Sequence, residues 1–255
     1  MKKTLTTLAI GAMLTTAANA DFARVEMGGG VWNQNPSGIL SYTDSGATGT
    51  YTSDEKEDSS AYLWMLIKHP IPIIPNIRLE YTNIKDTGVI DGDFKDFELG
   101  GLATTTGSLE LTQYDIIPYY NILDNTAWTT LDLGIDFKVQ NTTYSADDVE
   151  EVPGITTNYS DSEIVVIPMV YARVRVEIPG TDIGLEADGK YITYDGSTIS
   201  DYRAKVDYTM SFVPVVQPAI EVGYRVQKFD VTSDDDKTKM DMEFSGVYAG
   251  LMVRF

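Results

Sequence analysis

Strict alternation of apolar and polar residues, sustained over segments longer than ten residues, most narrows what this chain can fold into. In "LDLGIDFKV", Leu131, Leu133, Ile135, Phe137 and Val139 share one face, and Asp132, Gly134, Asp136 and Lys138 the other. "VYARVRVEI", "YRAKVDYTMSF" and "IEVGYRVQ" repeat the design. A period of two places alternate side chains on opposite faces of a strand. Ten segments follow it: 22 to 33, 59 to 69, 76 to 86, 107 to 121, 126 to 142, 161 to 178, 182 to 194, 199 to 212, 218 to 230 and 242 to 255. The second is apolar on both faces, and the fourth loses its alternation near Gln113, where a bulge is expected.

The connections alternate in length. Those at 70–75, 122–126, 179–181 and 213–217 are short and turn-like, whereas 34–58, 87–106, 143–160 and 231–241 are longer, polar and acidic, with a short 195–198 among them. Strands of soluble sandwiches run about 5 to 6 residues, and a tilted membrane strand needs about 9 to 11. Long strands joined alternately by tight turns and long loops predict a closed antiparallel all-β transmembrane barrel of about 10 strands, with roughly 8 to 12 compatible with the pattern. The short turns are then periplasmic and the acidic loops extracellular.

Alternation alone does not say which face meets lipid. So small a barrel lacks room for an inward Tyr, Phe, Leu or Val from every strand, so the apolar face is assigned outward and the charged face to the lumen. That gives the lumen ten basic residues, Arg24, Arg78, Lys138, Arg173, Arg175, Lys190, Arg203, Lys205, Arg225 and Arg254. Nine acidic residues oppose them: Glu26, Glu80, Asp132, Asp136, Glu177, Glu186, Asp188, Asp207 and Glu221. Such a lumen is expected to be a charge-paired plug, the alternative being a narrow path for small solutes. Trp128, Phe212 and Phe255 at one rim, and Tyr144, Tyr159, Tyr194 and Phe229 at the other, are expected to form interfacial girdles.

Both ends fit export to such a place. "MKKTLTTLAIGAMLTTAANA" has Lys2 and Lys3, an apolar stretch and Ala18-Asn19-Ala20, the layout of a signal peptide over 1–20, leaving 21–255 as the barrel. Removing Lys2 and Lys3 leaves 17 basic against 38 acidic residues, a formal charge of −21, which argues against nucleic acid as a partner. There is no cysteine. The last strand, "FSGVYAGLMVRF", turns Val247, Ala249, Leu251, Val253 and Phe255 to one face.

These features resemble bacterial outer-membrane β-barrel proteins. The resemblance implies that the final strand, with Tyr248, Leu251, Val253 and Phe255, is the signal read by the barrel-insertion machinery. "GGGVWNQNPSG", "KHPIPIIPNIRLEYT", "DYRAKVDY" and "EVGYR" are also similar to an uncharacterised outer-membrane barrel family named for a Gly-Gly feature, which implies no established activity. Outer-membrane lipid and lipopolysaccharide are the implied surroundings.

Catalytic chemistry finds little material. Barrel enzymes resemble one another in needing a histidine near the outer rim, and the single histidine, His69, precedes Pro70 in a periplasmic turn. No zinc set is available, and the chain is expected to be non-enzymatic, without metal or cofactor. The acidic loops 53–60, 91–98, 146–151 and 233–241 lack the twelve-residue calcium-loop spacing, although Asp91, Asp93, Asp96 and Glu98 are dense enough for weak divalent-cation binding. Gly28-Gly29-Gly30 lacks the spacing of a phosphate loop and is expected to admit a bulky neighbour such as Trp32.

Overall fold

The computed structural model describes residues 23–44, 47–71, 73–92, 104–152, 155–211, 215–233 and 237–255, with backbone alone for 47, 147–152 and 155–157. The expected signal peptide, Phe212, Asp93, Asp96 and Glu98 lie outside the described residues. The strands are β1 (Arg24–Asp44), β2 (Ala47–Ser53), β3 (Asp58–Lys68), β4 (Asn76–Asp91), β5 (Thr104–Thr126) and β6 (Thr129–Val152). They continue as β7 (Ile155–Glu177), β8 (Ile183–Tyr194), β9 (Ser197–Thr209), β10 (Gln217–Thr232) and β11 (Thr238–Arg254).

Every pairing is antiparallel, and β11 returns to β1 to close the sheet. β2 and β3 share one position: β3 pairs with Arg24–Gln34 of β1, and β2 with Ile39–Asp44 above it. Both also face β4. The described chain thus forms a closed barrel with ten strand positions, the second interrupted at Asp54–Glu57, where Glu55 has a φ of 57°. Closure means that neither the first nor the last strand leaves a free edge in hydrocarbon, where each unpaired backbone group costs several kcal/mol.

The strands run further than the alternation indicates. β1 reaches Asp44, β4 reaches Asp91, and β6 and β7 climb to Val152 and from Ile155, so much of the sequence that reads as loop is ladder. Stretches such as "NTTYSADD" carry polar residues on both faces; they satisfy backbone pairing without producing an apolar stripe. The β5–β6 turn falls at Ala127–Trp128 rather than 122–126, with φ of 53° and 63°, the left-handed pair that a two-residue hairpin requires. No bulge occurs at Gln113, which pairs in register on both sides; the irregularities lie between Asn121 and Thr126.

Outward residues form the apolar surface, including Leu63, Leu133, Ile135, Val170, Val206 and Leu251. On β4 the outward series Ile77, Leu79, Tyr81 gives way to Asn83 and Lys85, marking the upper limit of the apolar band. Exposed Tyr114, Tyr191 and Tyr202 lie near that limit, and Tyr120, Trp128 and Tyr208 near the turns. Two expected girdle residues belong elsewhere: Tyr144 and Phe229 are buried inside the barrel, because they share parity with the inward residues of β6 and β10. Partly buried Tyr159 also packs against the interior cluster.

The closing seam depends on one glycine pair. Gly30 of β1 faces Gly250 of β11 in register. A Cβ on Gly30 would lie 2.1 Å from the Ala249 carbonyl oxygen, and one on Gly250 would lie 2.3 Å from the Tyr62 hydroxyl. The bulky neighbour of Gly28 is the Trp64 indole, within 2.7 Å of a Cβ placed there, and not Trp32. This also explains why β3 is apolar on both faces: Tyr62, Trp64 and Leu66 fill the interior while Leu63 faces out.

Candidate functional site

The lumen below the outer mouth is occupied by ion pairs arranged in tiers. Near the periplasmic end Arg254 reaches Glu26 at 3.1 Å and Asp207 at 3.0 Å. Arg175 holds Asp207 through two hydrogen bonds of 2.6 and 3.0 Å and also meets Glu186 and Glu177. In the next tier Arg173 bridges Asp132 and Glu186, both at 2.7 Å. Arg78 bonds Glu80 at 2.5 Å, and Arg203 joins Glu80 to Asp188. Lys205 bonds Glu221 at 2.9 Å, and Glu221 accepts from the Tyr62 hydroxyl and Trp64 Nε1.

Higher still, Lys190 Nζ lies 2.6 Å from Glu80, 2.8 Å from Asp115 and 3.8 Å from Asp136. Lys138 bonds Asp115 at 2.8 Å, and Arg225 bonds Asp201 at 2.7 Å. Cations also cover aromatic faces: Lys205 Nζ lies 4.5 Å from the Trp64 ring centre and Arg225 4.7 Å from that of Trp32. Gln113 then bonds Gln140 and Gln227, each at 3.0 Å. Above them is an apolar layer in which Phe229 and Phe244 meet edge to face at 6.2 Å.

The barrel brings the expected residues together, with two at the periplasmic rim: Glu177 is 37% exposed and Arg24 29% exposed, Arg24 pairing with Glu26. The sequence list omits two members of the network, Asp115 and Asp201. Asp201 has the parity of Arg203, Lys205 and Asp207, so extending that alternation backward by one step finds it. Asp115 was hidden by the bulge assigned to Gln113. With both included, the buried carboxylates of this network are Glu26, Glu80, Asp115, Asp132, Asp136, Glu186, Asp188, Asp201, Asp207 and Glu221, ten in all, with an eleventh, Asp86, buried apart from them beside Tyr51 and Ser53. They face nine cations: Arg78, Lys138, Arg173, Arg175, Lys190, Arg203, Lys205, Arg225 and Arg254. The space among Trp32, Trp64, Arg78, Glu186, Arg203 and their neighbours measures about 10 Å³.

A second feature lies above the apolar layer. A vestibule of about 800 Å³ opens at the outer end, floored by Leu40, Ile199, Phe229 and Met240 and walled by Tyr42, Tyr144, Tyr194, Asp161, Glu163 and Asp195. None of the described residues that line it is a lysine or arginine. Burial, and then the neighbouring Glu163 and Asp161 carboxylates, hold the Tyr144 phenol above its ordinary value.

His69 sits in the β3–β4 connection. Its Nδ1 accepts from the Ile71 amide at 3.2 Å and its Nε2 lies 3.0 Å from the Pro75 carbonyl oxygen, so the ring braces its own turn. The final strand places Tyr248 and Met252 inward and Leu251 outward, and Phe255 exchanges backbone hydrogen bonds with Val25. Among the described residues no group of three potential metal ligands is assembled.

No family model matches the chain, and no curated protein matches it in sequence. Its structure is similar to that of the outer membrane protease OmpT from Escherichia coli, with a TM-score of 0.53, 10% identity, and 92% of this chain and 96% of that chain covered. It also aligns with Ail, the attachment invasion locus protein of Yersinia pestis, with a TM-score of 0.35, 9% identity, and 92% and 99% covered. At these identities the likeness to OmpT is one of fold: a closed antiparallel barrel of the outer-membrane kind.

Proposed function

We propose that this chain resides in a bacterial outer membrane as a barrel with a closed, charge-paired lumen, acting at the cell surface without catalysing a reaction. The observation that carries the reading is the filled interior. The gap among Trp32, Trp64, Arg78 and Arg203 at the centre, about 10 Å³, is roughly one water-sized probe sphere. Opening a path through it requires separating buried ion pairs, and stranding one such charge costs about 3 to 5 kcal/mol.

The rest of the molecule supports a surface role. Its surplus negative charge lies outside the balanced lumen, on the extensions and connections around the outer mouth. Those carboxylates suit weak divalent cations that bridge to anionic lipopolysaccharide, and the final strand through Phe255 suits recognition by the insertion machinery. The placement of His69 in a periplasmic turn supports the non-enzymatic reading.

Planar-bilayer recording tests the closed lumen. The purified barrel is expected to give no stable unitary conductance. Unitary steps that change when Arg173 or Arg175 is neutralised would overturn the plug in favour of a narrow solute channel.

A further inference from the structure

The barrel wall is interrupted at the level of the vestibule floor. β8 pairs with β7 only from Glu177 up to the Val170–Tyr191 pair. Above it β7 runs on to Ile155 and β8 to Tyr194, and no pairing joins the two among the described residues. Each keeps its other neighbour: β6 pairs with Ile164–Met169, and β9 with Ile192–Tyr194. The lining of the cavity shows the same gap. On β6 and β9 only inward residues line it, Gln140, Thr142 and Tyr144 on one and Ser197 and Ile199 on the other. On β7 the outward residues Val166 and Pro168 line it as well, so the space continues between the strands toward the outer face.

The β6 register fixes the depth of this gap. Pro168 is level with outward Phe137 and Val166 with outward Val139, both in the apolar band, whereas Ile164 is level with Asn141, where that band ends. The gap therefore begins within the hydrocarbon and rises to its upper surface. Its base coincides with the vestibule floor: Ile192, the next residue after the last β7 partner on β8, is in register with Ile199, and Ile199 with Phe229. Strand backbone without partners is tolerated at membrane depth only where it is buried in protein or lines a water-filled cavity. The vestibule supplies that cavity, so water lies on one side of the gap and alkyl chains on the other.

We propose that the gap is a lateral entrance through which a neutral single-chain amphiphile passes from the outer leaflet into the vestibule. Its alkyl chain lies on Leu40, Ile199, Phe229 and Met240, and its hydroxyl head points to Tyr42 and Tyr194 nearer the mouth. A volume of about 800 Å³ over an apolar floor with a few polar groups above it is that of a small-molecule pocket, for which about 300 to 1,000 Å³ is usual. Passage between lipid and a wet cavity selects a molecule suited to both, an alkyl chain with a small polar head. No lysine or arginine among the described lining residues is present to hold a phosphate or carboxylate. Asp161 and Glu163 already take part in interactions of their own, so the head is uncharged. The ligand stops above the Phe229–Phe244 layer, and the proposal goes beyond the closed-lumen reading while resting on the outer-membrane placement.

The test uses the full barrel in lipid nanodiscs that contain a monopalmitoylglycerol probe with a diazirine in mid-chain. Illumination is expected to label Phe229 or Met240 on the floor and Val166 or Pro168 at the gap. A tenfold excess of unlabelled monopalmitoylglycerol should reduce those labels at least fivefold. Labels confined to outward band residues such as Leu133, Val170 and Leu251, or floor labels that the excess leaves unchanged, would show bulk lipid only and overturn the site. A twin probe phosphorylated on its glycerol should label the floor at least fivefold less, and equal labelling overturns the neutral head. The double variant Val166→Trp, Thr193→Trp sets bulk on both banks of the gap at exposed positions. It should slow floor labelling at least fivefold while keeping its heat-modified mobility; an unchanged rate would mean entry through the open mouth and overturn the lateral route. The label map of the native protein stands whether or not that variant folds. Failure of the membrane placement would show earlier, as a chain that does not enter nanodiscs, and none of these outcomes bears on conductance.

Discussion

Arg175 and Asp207 are joined by two parallel hydrogen bonds, Nη1 to Oδ1 at 2.6 Å and Nη2 to Oδ2 at 3.0 Å, inside the barrel. Arg254 also reaches Asp207, so one carboxylate links β7, β9 and β11 near the periplasmic end. Asp207→Asn keeps the shape but leaves two guanidinium groups short of a counter-charge. A loss of about 3 to 5 kcal/mol is expected, seen as a lower temperature for the mobility shift on heating in detergent. A shift temperature equal to that of the parent would remove this pair from the stabilising contacts.

Asp136 behaves differently. Neither of its carboxylate oxygens has a hydrogen-bond partner, and its nearest cation, Lys190 Nζ, lies 3.8 Å away. It is also the least paired member of a network whose buried part has ten carboxylates and nine cations. Removing its charge therefore relieves repulsion from Asp115 without stranding a partner. Asp136→Asn is expected to leave the shift temperature unchanged or raise it, by the equivalent of about 1 kcal/mol. Destabilisation comparable to that of Asp207→Asn would show that the Lys190 contact matters more than the repulsion from Asp115.

The Gly30–Gly250 pair gives a third expectation. A side chain at Gly30 meets the β11 backbone, which cannot step aside without opening the seam. Gly30→Val is expected to cost at least about 1 to 3 kcal/mol, with most of the protein migrating at its unfolded position before heating. A valine variant that folds as readily as the parent would mean that the seam tolerates displacement.

The barrel was legible because membrane strands carry their instruction locally: the alternation at 131–139 states the outward face, and Asp132, Asp136 and Lys138 state the inward one. Two kinds of residue were not legible. Tyr144 and Phe229 read as girdle residues because aromatic side chains suit both an interface and a packed interior, and only parity carried beyond the apolar band separates the two. That β8 pairs with β7 only as far as Val170, while β7 runs on to Ile155, was invisible for another reason. It depends on β8 and β9 being shorter than β6 and β7, a relationship between elements that no single segment records.

The upper barrel supplies a pH-dependent prediction. Asp86 lies above Asn83 and Lys85, beyond the apolar band of β4, and accepts hydrogen bonds from the Tyr51 hydroxyl at 2.8 Å and the Ser53 hydroxyl at 3.0 Å, tying β2 to β4. Burial raises its carboxyl above the ordinary aspartate value, outweighing the two hydroxyl donors, with Asp54 adding repulsion. A raised folded-state value means the group's contribution is complete below the unfolded-state value and is lost as pH rises through the folded one. Local opening of β2 should therefore increase from pH 4 toward neutrality. Hydrogen exchange over residues 47–53, corrected for the intrinsic rate, measures it, and Asp86→Asn should flatten the profile. An identical slope in that variant would assign the pH dependence to another group.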